Sequence, residues 1–259
     1  MTKHIKKKRL NKVKVLFTLL LTFLVIFTIF QFSNSSKISK EKESQNAIEE
    51  KIPEDKVASI VSIGDTLVHS QVYKDAYDSS TGEYDFSPLF KDVSHYFTNS
   101  TLNICNLETS LAGADRGYSG YPTFNTPDHL ATDLKELGIQ VATTANNHAI
   151  DMGYSGLTHA LGVLDSVGIE HTGTARSTEE QNKILMKDLN GIKTAFLAFT
   201  YGTNGIPVPT GKEYCVNLID KDFMKQKIDQ AKSEGAELIC VSMHWGVEYQ
   251  TTENSSKKI

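Results

Sequence analysis

One uncharged apolar run, Val15-Leu-Phe-Thr-Leu-Leu-Leu-Thr-Phe-Leu-Val-Ile-Phe-Thr-Ile-Phe30 and on through Gln31 to Phe32, limits what this chain can become more than any other feature. As a helix rising 1.5 Å per residue it spans about 27 Å, enough to cross the hydrocarbon of a bilayer. Seven basic residues precede it (Lys3, Lys6, Lys7, Lys8, Arg9, Lys12 and Lys14), and no acidic residue occurs before Glu41. A basic flank stays in the cytoplasm, which places everything after the run outside the cell. A cleaved signal peptide needs a small-x-small site, and Gln31-Phe-Ser-Asn-Ser-Ser36 does not supply one. The sequence therefore predicts a basic cytoplasmic head (1–14), an uncleaved transmembrane signal anchor (15–32) and an exterior remainder. Residues 33–56, rich in Ser, Lys, Glu and Gln with little to bury, read as a polar stalk. The domain proper then occupies 57–259.

The head distorts the charge balance. The whole chain carries −4, but with seven of its 27 basic residues in the head, the remainder holds 20 against 31 acidic residues, a net of −11. Such a body repels nucleic acid, so no nucleic-acid partner is expected. The three cysteines, Cys105, Cys215 and Cys240, have no CxxC spacing, and an odd count argues against a disulfide framework. Cys105 and Cys240 lie in apolar runs and are expected to be free thiols in the core.

From Val57 onward, short apolar runs alternate with amphipathic segments. Strands are predicted at 57–63, 101–105, 138–142, from Ile169, and at 238–243, with a hairpin joining 184–189 to 193–199 through Asn190-Gly191. Helices are predicted from Ser87-Pro88 to about Phe97, from Thr126-Pro127 to Leu137, over 154–167, and from Asp220 to about Glu234, each opening on a capping residue or proline where one is present. Helices between strands imply a layered α/β domain with a largely parallel sheet.

In such sheets ligands bind at the carboxyl edge. Four predicted strand ends carry polar groups there: Asp65 with His69, Asn106 with Glu108, Asn147 with His148, and His244. The densest is Thr144-Ala-Asn-Asn-His-Ala-Ile-Asp-Met-Gly153, which offers amide, imidazole and carboxylate groups within six residues. Carboxylate, imidazole and amide oxygen suit Mn, Zn or Fe, and two such ions about 3.5–4 Å apart can clamp a displacement at phosphorus. His148 is then placed to protonate a leaving oxygen. Each residue also has a plainer reading: Asp65 as a helix cap, His69 as an exposed helical residue, Glu108 in a surface ion pair, His244 as a core histidine, and the Asn-His stretch as turn chemistry. His4, His95, His129, His159 and His171 read as core or surface residues.

Ile63-Gly-Asp65, Asn106-Leu-Glu108, Ala145-Asn-Asn-His-Ala-Ile-Asp-Met-Gly153 with Gly156-Leu157, and His244-Trp-Gly-Val-Glu-Tyr249 resemble the successive motifs of the CapA family, bacterial proteins associated with poly-gamma-glutamate capsule synthesis. The resemblance runs from about Val57 to the C-terminus. It implies a metallophosphatase-like fold, with Asp65 on one divalent metal ion, Glu108 bridging, Asn147 and His244 on a second, and His148 as general acid. His69 stands four residues past Asp65 rather than two, and Glu108 replaces the usual bridging aspartate. The family normally continues into a further helix, a strand and a Gly-His-His-Pro-His-like motif, so the domain is expected to be incomplete at its C-terminal end. The resemblance further implies a single-pass protein at the cell membrane, with capsule synthase or export proteins as partners and an anionic polymer as substrate. Two functions follow: a metal-dependent hydrolase of a phosphoester or capsule-polymer bond, or a non-catalytic component of the synthase or export complex. A sugar- or peptide-binding surface domain is a third, less demanded reading.

Overall fold

The computed structural model describes residues 12–48, 55–247 and 250. The chain divides after Asp55 into two compact units. In the first, helix α1 (Lys12–Ile48) contains Val15–Ser35, a stretch long and apolar enough to cross a membrane by length and composition. The helix continues through residues 33–48 of the polar stretch. Lys, Glu and Gln are good helix formers, and neither Gly nor Pro interrupts them there. His4, most of the basic head and residues 49–54 lie outside the described residues.

The second unit runs β1 (Ile60–Thr66), α2 (Ser70–Asp75), β2 (Tyr77–Asp78), β3 (Glu83–Tyr84), α3 (Ser87–Phe90), β4 (Leu102–Leu107), α4 (His129–Leu137), β5 (Val141–Thr143), α5 (Gly153–Val167), β6 (Glu170–Thr172), α6 (Thr178–Asn182), β7 (Leu185–Leu189), β8 (Ile192–Thr200), α7 (Lys221–Ser233) and β9 (Leu238–His244). The expected parallel sheet is present in the order β1-β4-β5-β6, all pairs parallel. A second sheet, β7-β8-β9, holds the predicted hairpin and one parallel pair. Asn190 and Gly191 both take positive φ (55° and 83°), the signature of a two-residue hairpin turn.

Alternation along the strands builds the layers. Leu102, Ile104 and Val141 on the first sheet meet Leu189 and Phe196 on the second, so the two sheets pack face to face. The opposite side of the first sheet, through Cys105, Leu107 and Ala142, buries Leu130 and Leu134 of α4 and Leu157, Leu161 and Leu164 of α5. The outer side of the second sheet, through Ala195, Leu197 and Phe199, packs on Phe223, Ile228 and Ala231 of α7. The order is helix, sheet, sheet, helix. Each fully buried Leu or Phe contributes roughly 1.5–3 kcal/mol relative to exposure.

Some boundaries differ from the sequence expectation. The helix from Ser87 ends at Phe90, and a separate single turn covers Ser94–Phe97. Its N-cap is Phe86, not Ser87, and the Asp133 carboxylate accepts the Phe86 N–H. The helix expected from Thr126-Pro127 begins at His129, because the Thr126 hydroxyl is taken by Thr109 at 2.7 Å.

In β1 the register slips between Ser62 and Asp65: Ser62 pairs with Ile104, yet Asp65 pairs with Asn106. Three steps on β1 answer two on β4, which is a β-bulge. Without it, alternation would set Asp65 opposite Leu107 and turn the carboxylate toward the helices. With it, Asp65 shares the inter-sheet side with Asn106.

Candidate metal centre

The carboxyl ends of both sheets meet at one rim. Asp65, Asn106 and Thr143 lie in register across β1, β4 and β5, and Thr200 pairs with His244 at the ends of β8 and β9. Asp65 is therefore a strand residue; the cap position of α2 is taken by His69. A cleft of about 350 Å³ between the sheets opens at this rim, lined by Asp65, Asn106, Thr143, Ser242 and His244.

Ligand atoms of Asp65, Glu108 and His244 all lie within 4.8 Å of one another. His244 stands at the centre. Its Nδ1 is 3.8 Å from Asp65 Oδ1 and its Nε2 is 3.6 Å from Glu108 Oε1. Asn147 Oδ1 lies 2.7 Å from the same Nε2. The side chains of Glu108 and His244 are 8% and 18% exposed and that of Asp65 is 55% exposed, so the cluster opens to solvent on the Asp65 side. Burial holds the His244 imidazole below its usual pKa, against the pull of Asp65 and with some help from His148. The neutral form this favours is the metal-binding form.

The donor set fits a divalent cation. Two donors about 2.1 Å from one ion at the tetrahedral angle stand about 3.4 Å apart, close to the 3.6 Å between Glu108 Oε1 and His244 Nε2. Two carboxylates, an imidazole and an amide oxygen are the ligand types of Mn, Zn and Fe sites. Asn106 is a fixture of the cluster. Its Nδ2 donates to Asp65 Oδ1 at 2.7 Å, and its Oδ1 accepts from Thr143 Oγ1 at 3.2 Å and Asn146 Nδ2 at 3.3 Å.

The Asn-Asn-His stretch follows β5 and is pinned from within. Asn146 Nδ2 donates to the Leu107 carbonyl at 2.8 Å, and Asn146 Oδ1 accepts the His148 N–H at 3.1 Å. This is the turn chemistry its composition suggested, beside the candidate ligand cluster. His148 Nδ1 lies 2.8 Å from Asp151 Oδ2, whose side chain is 1% exposed. The same oxygen accepts the Phe124 N–H at 2.7 Å. A carboxylate on Nδ1 fixes the ring and leaves Nε2 toward the rim. Phe124 meets His148 edge-on at 4.7 Å and His69 edge-on at 5.2 Å. His69 is thus an aromatic neighbour of the site and is not one of the three clustered ligands.

The five residues expected to hold metal or act as acid, Asp65, Glu108, Asn147, His148 and His244, lie together at this rim. Two neighbours went unnoticed: Tyr201, whose ring stacks on His244 at 6.2 Å, and Asn204, which contacts both Asn147 and His148. Both follow an apolar strand, the signal that marked the others. Of the remaining histidines, His129 pairs with Glu83 at 2.6 Å and His159 with Asp128 at 2.8 Å, both at the surface, while His171 is buried on the edge strand. Glu248 and Tyr249 lie outside the described residues.

Fold and site together define a four-layer α/β protein with a carboxylate, amide and imidazole cluster at the shared carboxyl rim of its two sheets. The chain belongs to the family described as Bacterial capsule synthesis protein PGA_cap, which it matches over residues 59–258. It is similar to the Capsule biosynthesis protein CapA of Bacillus anthracis, 24% identical over 256 residues, covering 95% of this chain and 58% of the relative. It is also similar to the PGA biosynthesis protein CapA of Bacillus subtilis (strain 168), 25% identical over 260 residues, covering 98% of this chain and 63% of the relative. A shorter likeness, 27% over 126 residues, joins 46% of this chain to 25% of the Uncharacterized protein y4sH of Sinorhizobium fredii. The chain thus spans about six tenths of the length of the two CapA relatives.

Proposed function

We propose that this chain is a membrane-anchored, cell-surface component of capsule-polymer synthesis or export, of the poly-gamma-glutamate type. In this reading it acts as a metal-dependent hydrolase on a phosphoester or capsule-polymer bond. One observation carries it: Asp65, Glu108, Asn147 and His244, from four segments distant in sequence, bring their ligand atoms to one rim. The relatives' names support the process, and Val15–Ser35 supports the anchor. In a metallophosphatase-like arrangement Asp65, Glu108, Asn147 and His244 would hold divalent ions drawn from Mn, Zn or Fe. When bound, such ions polarise an oxygen and lower the pKa of water.

The chain's own residues supply the rest. Asp151 holds the His148 ring through Nδ1, so that Nε2 faces the rim and moves a proton to or from the reacting oxygen. Phe124 screens the ring on its edge. The exterior body, at a net −11, repels anionic polymers at long range, so an anionic substrate would meet the protein where cations offset that field. The synthase or export machinery and the membrane are the partners this reading requires.

The test uses the full chain in mild detergent. Mn²⁺ should bind, a model phosphoester such as p-nitrophenyl phosphate should turn over, and both EDTA and His148→Ala should abolish turnover. Turnover indifferent to His148→Ala would refute the assignment.

A second reading, a non-catalytic component of the same machinery, is favoured by the 2.7 Å hydrogen bond between His244 Nε2 and Asn147 Oδ1, which lets the ligand atoms satisfy one another. Co-purification with membrane partners and no metal retained after Mn²⁺ exposure would select it.

A further inference from the structure

We propose that Asn204 is a positioning residue: its carboxamide sets the orientation of the Asn147 amide, so that Asn147 Oδ1 faces the cation position beside His244. This rests on the metal-binding reading above.

The argument starts from an ambiguity in any asparagine. A carboxamide can turn by 180° and exchange oxygen for nitrogen, and only the oxygen can ligate a cation. Asn147 has its Oδ1 at 2.7 Å from His244 Nε2. What prevents the flip is on the other side of the group: Asn147 Nδ2 donates to Asn204 Oδ1 at 3.1 Å. A flipped Asn147 would set its oxygen against the Asn204 oxygen and its NH₂ against the cation.

Asn204 is itself held. Its Oδ1 lies 3.3 Å from the Tyr201 hydroxyl, and its other end faces His148, whose Nδ1 N–H is given to the Asp151 carboxylate and whose Nε2 is left as an acceptor, so that end is the NH₂. Its Nδ2 then lies 3.4 Å from His148 Nε2. The backbone presents the side chain by a tight turn. Asn204 and Gly205 take φ of 48° and 79°, and Ile206 N–H donates to the Thr203 carbonyl at 2.9 Å. The Thr203 hydroxyl, donating to the Ile206 carbonyl at 2.6 Å, closes the turn from within. Asn is tolerated at positive φ, and Gly more so. The backbone alone would accept a glycine in place of Asn204 equally well, so the side chain's three contacts, all to residues of the rim, are what the turn does not explain.

That separation makes the test clean. Asn204→Gly keeps the turn and removes the carboxamide. Free Mn²⁺, counted by its paramagnetic resonance signal during titration of the full chain, should show about 10-fold weaker binding, the usual loss on removing a group that orients a ligand. The melting temperature in EDTA should stay at the wild-type value. Asn190→Gly, the same change at a remote positive-φ turn, should leave Mn²⁺ affinity unchanged. In an Asn147→Ala background, Asn204→Gly should have no further effect, because the amide it orients is gone. Mn²⁺ affinity within twofold of wild type in Asn204→Gly, or a full additional loss in the double variant, would overturn the inference while leaving the metal site intact. A wild-type chain that binds no Mn²⁺ would instead remove the metal reading, and this inference with it.

Discussion

Gly173 offers the sharpest test of the packing that supports the rim. It follows β6, has φ of 112°, and its carbonyl accepts the Asn217 N–H at 2.9 Å. A Cβ placed there would stand 2.6 Å from the Ala145 nitrogen, 2.7 Å from the Ala145 Cβ and 3.0 Å from the Ala198 Cβ. None of these is the far end of a flexible side chain. Ala145 and Ala198 are buried at 2% and 0% exposure, and Ala145 opens the Asn-Asn-His stretch. Two costs therefore add in Gly173→Ala. The backbone conformation costs about 1–3 kcal/mol for a residue with a side chain, and the forced overpacking costs about 1–3 kcal/mol more. The expected loss is about 4 kcal/mol, a large part of a domain stability that is typically about 5–15 kcal/mol. Two other glycines calibrate the two terms. Gly153 has φ of 67° with nothing within 4 Å of its Cβ position, so Gly153→Ala should lose about 1–2 kcal/mol. Gly64 has open space and no positive φ, so Gly64→Ala should stay within about 0.5 kcal/mol of wild type. Urea unfolding of the full chain, monitored at an unchanged m value, gives all three. If Gly173→Ala costs no more than Gly153→Ala, the close approach of Gly173 to Ala145 is not part of the folded protein and the reasoning fails.

Three further outcomes follow from buried groups. Lys227 is 2% exposed and donates to the Gln181 carbonyl at 2.8 Å, the Asn182 carbonyl at 2.9 Å and Gln230 Oε1 at 3.2 Å; Lys227→Met strips those acceptors and should cost about 1–3 kcal/mol in urea unfolding. Burial holds His171 below its usual 6.5, so the unfolded chain takes up a proton that the folded chain refuses; stability should fall as pH drops below 6.5 toward the folded value, and His171→Gln should flatten that part of the melting-temperature profile. Burial pushes the Cys105 thiol up to about 12 and raises Cys215 and Cys240 as well, but Cys240 is only half-buried while the other two are buried, so a thiol reagent at pH 8 should modify Cys240 first and reach the other two only on unfolding.

The parts of the fold legible in the sequence are those fixed by local rules. The hairpin at Asn190-Gly191 follows from turn chemistry, and α7 begins at the cap it should, with the Asp220 carboxylate accepting the Phe223 N–H at 2.8 Å. Helices α4 and α5 end at Gly138 and Gly168, both at positive φ. The parallel sheet followed from alternation of strands and helices. Its division of labour with a second sheet did not, because nothing local distinguishes a strand that joins β6 from one that packs across from it. The rim residues were found because each follows an apolar run. Asp151 as the partner of His148 is a local pair, three residues apart, and was within reach. Asn204 also follows an apolar run, but its role was not within reach, because it depends on a contact 57 residues away with Asn147. The difference between the expected and observed starts of α4 has the same origin: Thr126 is a good cap in isolation, but it is spent on Thr109.

The slip in β1 between Ser62 and Asp65 makes chain length, rather than chemistry, the fragile property of that strand. Side chains there can vary widely, since Gly64 meets nothing and Ser62 is exposed. Adding a single residue between them is a different matter. With the bulge kept, it would move the carboxylate one step on, opposite Leu107, and aim it at the apolar packing around Val61 and Ile63, where an unpaired charge is costly. Every amino acid of the rim would still be encoded, and the rim would nonetheless lack one of its two acids.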